Sequence, residues 1–152
     1  MREALAAWVL EHGLPALFAV AFLAATLVPV SSEAALVAVL AAGVPVLPAL
    51  AVASVGNGLA CGANYGLGRF FREKTGRRLR ASRTGRRALA WMERLGPWSL
   101  ALTWLPVVGD PLTVAAGYAR TSPLLFAATV VPLRVARYVA LAAAVRGWGG
   151  PG

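Results

Sequence analysis

Apolar residues run almost unbroken along this chain, and the polar residues that interrupt them are confined to a few places. A first run, LPALFAVAFLAA, gives way to Thr26-Leu27-Val28-Pro29-Val30-Ser31-Ser32-Glu33 and resumes as AALVAVLAAG. Residues 46–68 and 122–146 contain no acid and are long enough to cross hydrocarbon ~30 Å thick, at ~20 residues per span. Residues 97–109 and 111–119 are too short, since arms of about 9–13 residues give roughly 14–20 Å of helix at ~1.5 Å per residue. The break between them, PVVGDP, holds Pro106, Gly109, Asp110 and Pro111. A broken apolar hairpin that enters and leaves on one side suits such arms better than a span.

The two breaks match. Both read T-x-x-P-V-x-x-acid, from Thr26 to Glu33 and from Thr103 to Asp110, offset by 77 residues. The same offset sets Asn57 opposite Arg134. The chain therefore reads as two copies of one unit, a hairpin followed by a spanning helix. The pattern predicts an all-α membrane protein that forms a single integral domain over 1–152. Its parts are an interfacial helix over 1–12, a re-entrant hairpin over 14–45 and a transmembrane helix over 46–68. A basic connecting loop over 69–95, a second hairpin over 97–119 and a transmembrane helix over 122–146 follow. In the first segment Leu5, Trp8 and Val9 share one side, as an interfacial helix requires. No basic n-region precedes a cleavable apolar core there, so no removed signal peptide is expected.

Composition agrees with this class. Charged residues make up only 14% of the 152 residues and hydrophobic ones 59%, whereas soluble domains carry about 25% charged residues. The lone cysteine, Cys61, excludes an intrachain disulfide. The net charge of +9 is concentrated, since residues 69–94 hold ten of the fifteen basic residues. Between apolar segments such a loop stays cytoplasmic and is drawn to anionic headgroups, a better account than a nucleic-acid partner. With that loop inside, the first spanning helix runs inward and the second outward. The hairpins then enter from opposite leaflets as inverted repeats, the plan of transporters that build their site near the midplane.

In that plan Glu33 and Asp110 stand at the hairpin tips. Ionisable groups at such depth face a cavity or an opposite charge. Arg134 and Arg137, three residues apart on one helix face, supply that charge, with Pro132 freeing a backbone carbonyl beside them. The alternative is a salt-bridge network that only holds the hairpins together. Ser31, Ser32, Asn57 and Tyr65 are candidates to line the cavity, although interhelical hydrogen bonding accounts equally for Asn57, Asn64 and Tyr65. Gly58, Gly62 and Gly66 recur every four residues, which is small-residue helix packing; neither phosphate-loop spacing is present. His12 stands alone, so no metal site is expected, and no cofactor is.

The order TLVPVSSE, GNGLACGANYGLGR, a basic loop, and PVVGDPLTVAAGYAR followed by an apolar span resembles the DedA (VTT-domain) membrane protein family, over about residues 18–146. It most resembles the short YqaA-like branch of that family. The resemblance implies a multi-pass bacterial inner-membrane protein with two opposed re-entrant hairpins. It also implies movement of undecaprenyl phosphate or phospholipids between leaflets, linked to protons in some members. On this chain the hairpin acids are Glu33 and Asp110, and the glycine and arginine after the second hairpin are Gly117 and Arg120. Larger members carry arginine just before the second hairpin's proline, where this chain has Leu102-Thr103-Trp104-Leu105; Arg134 and Arg137 would supply the missing charge.

The expected function is thus a lipid or lipid-phosphate translocase. Arg134, Arg137 and Arg120 would receive an anionic headgroup, and Glu33 and Asp110 would gate or carry protons. An ion-coupled small-molecule transporter is the alternative. A lipid-pyrophosphate phosphatase, suggested by VPVSSE, lacks a base placed to activate Ser31 or Ser32, so no catalytic residue is assigned. Four membrane elements enclose little volume, which makes a homodimer one expected assembly.

Overall fold

The computed structural model describes residues 2–26, 32–105 and 108–148, and every described element is helical. These are α1 (Arg2–Thr26), α2 (Ser32–Ala41), α3 (Val46–Phe70), α4 (Arg72–Ala81), α5 (Arg83–Leu95), a 3₁₀ segment (Gly96–Trp104), α6 (Gly109–Tyr118) and α7 (Pro123–Trp148). Two helices, Val46–Phe70 and Pro123–Val145 within α7, are long and apolar enough to cross a membrane.

The offset of 77 residues survives in the elements. Ser32 and Gly109 open the two short helices, Val46 and Pro123 the two long ones, and each pair is 77 residues apart. Even the turns agree. After α2, Gly43 donates its N–H to the Leu40 carbonyl and Val44 to that of Val39. After α6, Arg120 donates to Gly117 and Thr121 to Ala116. Both are helix ends closed by paired backbone bonds around a left-handed residue, with φ 85° at Gly43 and 57° at Arg120.

The chain divides into two compact units, one of residues 1–60 with 135–152, the other of residues 61–134. In the first, α1 breaks at Gly13, whose φ of 60° and ψ of −133° are not helical. Pro15 lies in the first turn beyond the break, where its missing N–H costs nothing. Ala16, Leu17 and Val20 then face Ala35, Leu36 and Val39 of α2, with Ala49, Ala53 and Tyr138 completing the core. Gly56 lets α3 approach α1 closely, since a Cβ there would stand 2.9 Å from the Phe18 carbonyl oxygen.

In the second unit the basic connection is itself helical. Leu79 of α4 and Ala88 and Met92 of α5 are buried against Leu100, Leu112 and Ala116, while the arginines between them stay outside. Ser82 caps α5, its hydroxyl accepting from the Gly85 N–H at 3.0 Å. The segment before α6 differs from an α-helix. Its nine residues form a 3₁₀ segment, about 18 Å long at ~2.0 Å per residue. Ser99 and Thr103 donate their hydroxyls to carbonyls three residues back, Gly96 and Leu100, at 2.7 and 2.6 Å.

The packing glycines are not the ones the four-residue spacing suggested. A Cβ at Gly58 or Gly62 would meet nothing within 4 Å. At Gly68 it would overlap the Val114 carbonyl, and at Gly117 the Tyr65 carbonyl. These two let α3 and α6 touch backbone to backbone.

Candidate functional site

Among the described residues, an acid–arginine pair stands in each unit. In the second, Asp110 lies in the first turn of α6, where the positive end of the helix dipole favours a carboxylate. Arg134 of α7 donates from Nη2 to its Oδ1 at 2.6 Å. Gly109 makes room for the guanidinium, because a Cβ there would stand 3.0 Å from Nη2. The Thr113 hydroxyl donates to the Asp110 carbonyl at 2.7 Å, tying the acid's backbone into α6.

The first unit repeats this with changes. Glu33 lies in the first turn of α2, and its Oε1 stands 2.8 Å from Nη2 of Arg137. Tyr138, fully buried, donates its hydroxyl to Ser32 at 2.9 Å. Its ring lies 5.6 Å from the Arg137 guanidinium carbon, within cation–π reach. The Arg137 Nε is buried and meets no acceptor among the described residues.

Exposure is divided unevenly within each pair. The arginine side chains are 4% exposed at Arg134 and 14% at Arg137, whereas the acids are 36% exposed at Asp110 and 32% at Glu33. A buried guanidinium thus stands behind a carboxylate that keeps an open edge. Withdrawing either carboxylate would leave a cation without its counter-ion, which typically costs ~3–5 kcal/mol. An incoming anion at the open edge could take its place, since a guanidinium binds carboxylate and phosphate through the same donor fork.

The other candidates scatter. Asn57 is buried on α3 in the first unit. Tyr65 is buried in the second, donating its hydroxyl to the Thr121 carbonyl, accepting from Arg69 Nη1 at 2.9 Å and packing on Phe126. Arg120 is exposed on the turn after α6, outside the ion pairs. Ser31, Pro29 and Pro106 lie outside the described residues. Sequence reasoning missed Tyr138 and Gly109, although each adjoins an identified charge, in Arg137-Tyr138 and Gly109-Asp110. It also missed the arginine–tyrosine contacts between α4 and α6, which no spacing announces.

Comparison with known proteins shows the family. The VTT domain family model matches residues 28–144. Inner membrane protein YqaA of Escherichia coli K12 is 42% identical over 131 residues, covering 84% of this chain and 87% of that protein; its Shigella flexneri namesake gives the same figures. An uncharacterised protein of Haemophilus influenzae is 33% identical over 136 residues, 82% of each chain. No solved structure matches.

Proposed function

Since this chain belongs to the VTT-domain family, we propose that it is a multi-pass inner-membrane protein that moves a lipid phosphate or phospholipid between leaflets. In this reading α3 and α7 cross the bilayer, the hairpins are re-entrant, and the basic α4–α5 connection lies in the cytoplasm. Arg134 and Arg137 receive the headgroup. Glu33 and Asp110 hold the arginines until it arrives.

The observation that carries the reading is the buried arginine behind a half-open acid, made once in each unit. A phosphate offers several acceptor oxygens and competes with the carboxylate for the guanidinium. Protonating the carboxylate releases the arginine for that exchange, which links headgroup capture to protons. The naming of the relatives as inner membrane proteins supports the location.

A leaflet-resolved assay in proteoliposomes tests the proposal. Labelled undecaprenyl phosphate or phospholipid should cross faster than in protein-free vesicles, and an imposed pH gradient should change the rate. Solute uptake without lipid movement would favour a small-molecule transporter instead.

A further inference from the structure

We propose that Arg72 and Arg80, gathered around Tyr118 in the second unit, form a headgroup site for an anionic membrane lipid, separate from the paired charges. The proposal rests on the membrane reading of α3 but not on transport. Phe70 ends α3, and both Phe70 and Phe71 are exposed, 79% and 57%. Bare phenylalanine rings at the end of an apolar helix are favoured in hydrocarbon over water, and Arg72 follows them at headgroup depth. Its guanidinium carbon lies 5.1 Å from the centre of the Tyr118 ring, and that of Arg80 lies 5.8 Å away. Arg80 also donates to the Tyr118 hydroxyl at 3.0 Å, and Arg86 holds the Arg80 carbonyl at 3.0 Å. Gly76 admits the ring, since a Cβ there would press on Tyr118 at 2.9 Å.

Two cations are thus drawn to one ring, and among the described residues neither has a carboxylate within salt-bridge distance. The negative ring face steadies each of them but does not cancel their mutual repulsion. A phosphodiester does, and each guanidinium offers it a planar donor fork. A zwitterionic lipid would bring its own cation into the same place, so the site selects an anionic one.

The test is equilibrium binding of short-chain phosphatidylglycerol and phosphatidylcholine to the full chain in detergent. Wild type should prefer phosphatidylglycerol by ~10-fold, about the worth of one good charged hydrogen bond. Arg72→Gln with Arg80→Gln should abolish the preference. Arg77→Gln with Arg78→Gln removes equal charge from the same helix away from the ring and should preserve it. If the first variant fails to fold, Arg72→Lys with Arg80→Lys keeps the charge but not the planar fork, and should bind phosphatidylglycerol several-fold more weakly while still preferring it to phosphatidylcholine. Equal loss from both Gln pairs, an unchanged phosphatidylglycerol affinity in the Lys pair, or no preference in wild type would overturn the site. Displacement of the lipid by equimolar inorganic phosphate would overturn its assignment to lipid. Because binding is read without transport, these results stand apart from any outcome at Arg134 or Arg137.

Discussion

Arg120 occupies a backbone position that glycine usually holds. Its φ of 57° closes the end of α6 with the same backbone bonds that Gly43 makes after α2, and a side chain in that region costs about 1 kcal/mol or more. Arg120→Gly should therefore raise stability by about 1 kcal/mol, seen as a higher midpoint of thermal unfolding in detergent. An unchanged or lower midpoint would mean that the guanidinium contributes to the fold. At the ion pairs the expected signs are opposite. Asp110→Asn should destabilise by ~3–5 kcal/mol and Glu33→Gln by less, because Arg134 is the more deeply buried cation. Adding Arg134→Gln to Asp110→Asn should recover much of the loss, and simple additivity would show that the two are uncoupled. That the acids and arginines belonged together was legible from their rarity in apolar segments. Which acid takes which arginine was not, because both arginines share one helix and only the packing of α2 and α6 assigns them.

At the scale of elements, hydrophobic length placed both long helices within a residue or two, and the acids that end the repeated T-x-x-P-V-x-x-acid pattern fall in the first turns of α2 and α6. The basic connection was less legible. Its many arginines, with Gly76 and Gly85 lowering helix propensity, read as a solvated loop. The signal against that was present in Leu79, Ala88 and Met92 behind the Ser82 cap. The 3₁₀ segment had no signal that separates it from an α-helix, since it is set by local hydroxyl bonds and packing. Glycine spacing misled for a related reason: period four is necessary for close helix approach but does not say which face meets a neighbour. Gly68→Ala should be strongly destabilising, because the Val114 backbone cannot move aside cheaply. Gly58→Ala should be neutral or stabilising by about 0.5–1 kcal/mol, the propensity difference in a helix. Comparing the two unfolding midpoints checks the assignment, and equal losses would contradict it.

For the whole molecule, charge asymmetry predicts orientation. Single cysteines replacing His12, Arg83 and Gly149 in a Cys61→Ala background can be tested with an impermeant thiol reagent in intact cells. Labelling is expected at positions 12 and 149 and not at 83; the reverse pattern would invert the topology. The central claim is that the arginines act on the lipid and do not merely brace the hairpins. The double-neutral variant Asp110→Asn with Arg134→Gln separates the two, because it removes the cation without leaving a buried charge uncompensated. The deciding measurement is its flip rate for a labelled lipid phosphate in proteoliposomes, per mole of folded protein and beside wild type. The account predicts a rate close to that of protein-free vesicles despite recovered stability. A rate near wild type would contradict it and leave the pair a structural brace.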